Sequence, residues 1–99
     1  MAVYLIIDLD VSDPERFAEY QAAFPVIAAR HGGRYLVRGG ELSVNGDWGA
    51  DPKRLVMIEF PDRAAAAATF ADPDYQPLIP IRNASSKGRS ILVDGVDGA

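Results

Sequence analysis

Apolar residues hold every odd position from Val3 to Val11, while the even positions run Tyr4, Ile6, Asp8 and Asp10. That period of two, in a β-rich run, predicts a strand with one buried face and one mixed face. Ser12-Asp13-Pro14-Glu15 then reads as a helix start, with a capping side chain and a proline in the first turn. The helix carries Phe17, Tyr20 or Gln21, Phe24, and Ile27 or Ala28 at helical spacing. Pro25 lacks the N–H that would bond the Gln21 carbonyl, so a kink is expected there. His31-Gly32-Gly33 ends the helix with a glycine cap.

A short strand, Arg34 to Arg38, follows between two glycine pairs. Alternation predicts that Arg34 and Arg38 share a face, with Leu36 between them. Glu41 to Val44 and the turn signal Asn45-Gly46-Asp47 suggest a hairpin, and Trp48 falls in the loop that ends at Asp51-Pro52-Lys53. Arg54 to Phe60 predicts another strand, and Pro61-Asp62 caps a second helix whose alanine run ends at Asp72-Pro73. Pro77 and Pro80 exclude a central strand from Asp74 to Ser86, so short helical turns are expected there. Arg89 to Asp94 forms the last strand, and Gly95 to Ala99 reads as a loose tail.

The order β-α-β-β-α-β over residues 1–94 predicts a single α+β domain of ferredoxin-like split βαβ topology, with an antiparallel sheet and both helices on one face. The helix-facing side takes Val3, Leu5, Ile7, Leu9, Val56, Ile58, Phe60, Tyr35 and Val37. The other face takes Tyr4, Ile6, Asp8, Asp10, Arg34, Leu36, Arg38, Leu55, Met57 and Glu59. Such a mixture of charge and bulk suits a dimer interface or a ligand cavity. Asp8, Glu59 and Arg38 are expected to cluster there across three adjacent strands.

With 99 residues the chain can bury only a modest core, so a second subunit would help it. The net charge of −4 and the lack of a basic stripe argue against nucleic acid. Cysteine is absent, which removes thiolate metal sites and cysteine nucleophiles and fits a cytoplasmic location. The run Val3–Val11 is too short to span a membrane and is broken by Asp8 and Asp10. A single histidine makes a transition-metal site improbable, and no metal is expected.

Over nearly its full length the chain resembles the family known as domain of unknown function 1330. The carriers are Asp13-Pro14-Glu15-Arg16-Phe17 with Tyr20, Phe24-Pro25, and the block Gly32 to Gly40. Gly46-Asp47-Trp48, Pro52 to Val56, Ile58 to Pro61, and Tyr75-Gln76-Pro77-Leu78 with Arg82 complete the pattern. The resemblance implies a ferredoxin-like dimeric α/β barrel, an architecture shared with cofactor-free monooxygenases, small isomerases and decarboxylases, and haem-handling proteins. No single reaction follows from it. The polar stretch Ser43 to Asp51 departs from the family pattern and would alter the rim of a pocket.

The functional expectation is a homodimer binding a small, anionic organic molecule on the mixed sheet face, with no cofactor. Arg38 would hold the anion, with Arg34, Tyr35, Tyr75, Arg82 and Trp48 around it. Glu59, Asp8 and His31 are the candidates for proton transfer, Glu59 foremost, as a carboxylate of raised pKa in a dry pocket. His31 also fits a plain cap in the last helical turn. The alternative is a non-catalytic dimerisation module whose Arg/Asp/Glu cluster is structural.

Overall fold

A computed structural model describes residues 1–96. The elements are β1 (Val3–Val11), α1 (Pro14–Arg30), β2 (Arg34–Arg38), β3 (Leu55–Phe60), α2 (Arg63–Ala71), α3 (Leu78–Ser85) and β4 (Ser86–Asp94). The four strands form one antiparallel sheet in the order β2-β3-β1-β4. The expected α+β, split βαβ arrangement is what the chain adopts. The difficult segment after Asp74 supplies α3, which packs on α1.

Both longer helices begin as their caps direct. The Asp13 carboxylate accepts from the Arg16 amide at 3.2 Å, and the Asp62 carboxylate from the Ala65 amide at 2.7 Å. Pro25 is accommodated inside α1 without ending it. The core lies between the sheet and the helices, where Val3, Leu5, Leu9, Val56, Ile58 and Phe60 meet Phe17, Phe24, Ile27 and Ala66. Each large aliphatic or aromatic group buried there contributes about 1.5–3 kcal/mol. An aromatic cluster of Tyr20, Phe24, Phe70 and Tyr75 closes one end, with ring centroids 5.1–6.3 Å apart.

Three expectations are corrected. Residues 41–44 form no strand, so the predicted hairpin is missing among the described residues; Gly46 does take a left-handed φ of 82°. Those four residues lie in the long β2–β3 connection with no partner strand to stabilise them. β4 begins at Ser86, three residues early, because the β1 register continues to the Val11–Ser86 pair. The Gly95 amide donates to the Ala2 carbonyl at 2.8 Å, so Gly95 is held against the start of β1 and not loose as expected; the rest of that expectation, residues 97–99, lies outside those described. Among the described residues, no helix is long and apolar enough to cross a membrane.

Candidate functional site

A β-bulge decides where the site lies. β2 pairs with β3 as Arg34–Glu59 and Tyr35–Ile58, then slips so that Val37 faces Met57 and Arg38 faces Val56. Leu36 is the extra residue, and it reverses the alternation that follows it. Arg34 therefore stays on the outer face with Glu59, whereas Arg38 turns to the helix side, its guanidinium 4.0 Å above the Tyr35 ring centre. Val37 moves the opposite way, to the outer face beside Met57. The expectation that the two arginines share a face is thus overturned by one residue of register.

The cluster of Asp8, Glu59 and Arg38 is not formed. Asp8 lies opposite Leu55 and Glu59 opposite Tyr4, four positions apart along β1, about 13 Å at strand rise. Asp8 is occupied structurally, accepting from the Lys53 and Arg54 amides at 2.8 and 3.3 Å and pairing with Arg89 at 3.1 Å. Burial alone would raise its pKa; those donors outweigh it and hold the carboxyl below its ordinary value. Glu59 pairs with Arg34 at 2.9 Å, and that bond lowers its pKa. The raised pKa expected of a general base there is contradicted in sign.

The cavity sits on the other side of the sheet, between strands and helices, with a volume of about 1080 Å³. Leu5, Ile7 and Val56 form its floor, and Phe24 and Phe70 its aromatic wall. Of the residues expected around a ligand on the mixed face, Arg38, Tyr35, Tyr75 and Arg82 line this cavity on the helix side instead, whereas Arg34, Trp48, Glu59, Asp8 and His31 do not line it. Trp48 stands exposed, its indole N–H donating to the Asn45 carbonyl at 2.6 Å. Tyr20, a tyrosine whose hydroxyl could also meet a ligand, lines the cleft, and so do Arg54 and Gln21, which the sequence does not single out as site residues. Arg54 could have been found by alternation, since an outward Leu55 implies an inward Arg54.

Polar groups converge in this cleft. Arg82 Nη1 donates to the Tyr75 hydroxyl at 2.7 Å, and that oxygen lies 3.2 Å from the Tyr20 hydroxyl. Burial, reinforced by Tyr75, pushes the Tyr20 pKa well above the ordinary tyrosine value. Burial also raises that of Tyr35, against the pull of Arg38 and Arg54. The Gln21 side-chain amide faces the Arg54 guanidinium; with its oxygen assigned to that side by hydrogen bonding, it accepts from Nη1 at 3.2 Å. Among the described residues, no Asp or Glu lines the cleft, and Arg38, Arg54 and Arg82 form no salt bridge. No group of three His, Cys, Asp or Glu side chains among those residues is placed to hold a metal ion.

His31 belongs to a different cluster. Its Nε2 lies 2.8 Å from Asp72 Oδ2, which also accepts from Arg30 Nη1 at 2.9 Å. The other Asp72 oxygen accepts from the Asp74 amide at 2.9 Å. The His31 contact, the Asp74 amide and Arg30 hold the buried Asp72 carboxyl at about 2. This cluster ties the end of α1 to the turn that carries Tyr75, whose amide donates to the Asp72 carbonyl at 2.9 Å.

A family model for domain of unknown function 1330 matches residues 2–96. The chain belongs to that family. Among solved structures, this member of the 1330 family is similar to a protein of unknown function from Rhodopseudomonas palustris, with 20% identity, TM-score 0.78, and coverage of 97% of this chain and 83% of that one. It is also similar to SnoaB, a cofactor-independent oxygenase from Streptomyces nogalater, at 18% identity and TM-score 0.69, covering 97% and 94% of the two chains. A putative antibiotic biosynthesis monooxygenase from Nitrosomonas europaea matches at 16% identity and TM-score 0.58, covering 97% and 92%. At these identities the likeness is one of fold. No curated protein matches the sequence.

Proposed function

We propose that this domain is a homodimer that binds a small anionic organic molecule in the cleft between sheet and helices, and that it supports cofactor-independent proton transfer or oxygenation of that molecule. The observation that carries this reading is a cleft lined by Arg38, Arg54 and Arg82 without a carboxylate, in a chain whose net charge is −4. Guanidinium groups in a partly dry, aromatic setting stabilise a bound phenolate, enolate or carboxylate and lower the pKa of its conjugate acid. An activated carbon acid held as its anion is the state from which cofactor-free oxygenation proceeds, and SnoaB, of the same fold, is a cofactor-independent oxygenase.

Dimerisation and ligand binding fall on opposite faces of the sheet. The outer face exposes Leu36, Ile91 and Val93 beside the Arg34–Glu59 and Asp8–Arg89 pairs. A second copy of the chain would cover that apolar surface. The structural role that the alternative gives to the Arg/Asp/Glu cluster therefore suits these two pairs, while Arg38 is left to the ligand.

The test is thermal denaturation of wild type and Arg38→Ala against small organic acids, phenols, quinols and haem. An acid or phenol that raises the midpoint of wild type but not of the variant supports the reading. No response from any of them, with Arg38→Ala dissociating into monomers, would place Arg38 in the interface and end it.

A further inference from the structure

Arg30, Arg34, Arg63 and Arg89 each meet a carboxylate at 2.8–3.1 Å. The three cleft arginines without a salt bridge are held by neutral groups instead. Arg38 lies over the Tyr35 ring, Arg82 donates to the Tyr75 hydroxyl and the Asn83 side-chain oxygen, and Arg54 donates to the Gln21 side-chain oxygen. A neutral acceptor orients a guanidinium without cancelling its charge; a carboxylate does both. Arg54 is fixed from several sides. Its amide donates to Asp8 Oδ1 at 3.3 Å, and its carbonyl accepts from the Leu9 amide at 2.9 Å. Its Nε is buried without a partner, and a Cβ on Gly39 would come within 2.7 Å of it. Contact with a ligand therefore falls to Nη1 and Nη2, the two nitrogens that Gln21 meets. Together they carry more N–H groups than one amide oxygen occupies.

We infer that Gln21 is a specificity-determining residue of the cleft: as a neutral acceptor it holds the Arg54 guanidinium in place and leaves its charge to the oxyanion of the ligand, so that the site favours organic acids over their uncharged analogues. This rests on the cleft reading above and assigns the residue that sets its charge preference. Gln21 follows Tyr20 in α1, is exposed, and lines the cleft together with Arg54. A glutamate of the same size would reach the same nitrogens, but as an ion pair it would compete with any incoming anion for them. Among the described residues no Asp or Glu lines the cleft, so the amide at position 21 keeps the site cationic.

Isothermal titration of naphthoate against naphthamide, and of benzoate against benzamide, tests it on wild type, Gln21→Glu and Gln21→Met. Wild type should bind the acid of at least one pair more tightly than its amide. Gln21→Glu should lose roughly tenfold of that preference, the worth of one charge-assisted contact. Gln21→Met, which removes the acceptor and adds no charge, should bind the acid more weakly yet still prefer it. Both substitutions put a good helix former at an exposed position, so α1 is preserved. A Gln21→Glu protein with the wild-type preference would overturn the role of Gln21 and leave the anion cleft standing. Wild type that prefers neither acid would remove both readings. A second measurement needs no variant: naphthoate should protect Arg54 from phenylglyoxal, mapped by mass spectrometry of peptides, and naphthamide should protect it less. Undiminished modification of Arg54 by phenylglyoxal in the presence of a bound acid would overturn the proposal whatever the variants do.

Discussion

Arg38 lies over the ring of Tyr35, 4.0 Å from its centre, although the two stand three positions apart along a strand where alternation would put them on opposite faces. The Leu36 bulge makes this contact, and with it the cationic wall of the cleft. Bulges commonly re-aim a side chain at a functional site, at the cost of locally broken pairing. Here it separates two arginines into two jobs, one in an outer ion pair and one facing the cleft.

Arg38→Ala should remove ligand affinity while costing little stability. An exposed cation–π contact is worth about 0.5–1 kcal/mol, and Arg38 has no carboxylate partner among the described residues to strand. Urea denaturation checks this: a loss of several kcal/mol would mean that Arg38 holds the structure together.

Gly39→Ala should destabilise the fold by about 1–2 kcal/mol and disturb Arg54 at the same time. Gly39 has φ +65°, where a side chain is strained, and an added Cβ would lie 2.7 Å from Arg54 Nε. A shifted urea midpoint together with weakened ligand binding is the expected pair of results. Unchanged binding would show that Arg54 can move aside without consequence.

Asp72 should make the protein acid-sensitive. Its folded pKa of about 2 lies below the ordinary 3.8, so the stabilisation it contributes is fully present above about pH 4 and is lost as pH falls through about 2. Asp72→Asn should lower stability at neutral pH and flatten its fall across that acid window. Denaturant midpoints measured at several pH values check both; an unaltered profile would move the acid dependence elsewhere.

The outer sheet face should govern assembly and leave the cleft alone. Ile91→Asp puts a charge on an exposed apolar position and should convert dimer to monomer in sedimentation velocity. Glu59→Gln, on the same face, should leave ligand affinity unchanged, because Glu59 does not line the cleft. Loss of ligand binding in Glu59→Gln would restore Glu59 as a site residue.

The element order, the helix starts at Asp13 and Asp62, and the buried side of β1 are all legible in the sequence by itself. They follow from short-range rules: a period of two in Val3–Val11, carboxylates that reach amides three residues on, and prolines that forbid a central strand after Asp74. What the tertiary structure alone decided is which side chains meet. Arg38 changed faces because register is set by pairing with β3, and one unpaired residue inverts every position beyond it. His31 reached Asp72, 41 positions away, because the turn before α3 folds back on α1, and Arg82 reached Tyr75, 7 positions away, across the turn that opens α3. Local periodicity carries no record of such contacts. It determined what this chain builds, and long-range packing determined where its charges point.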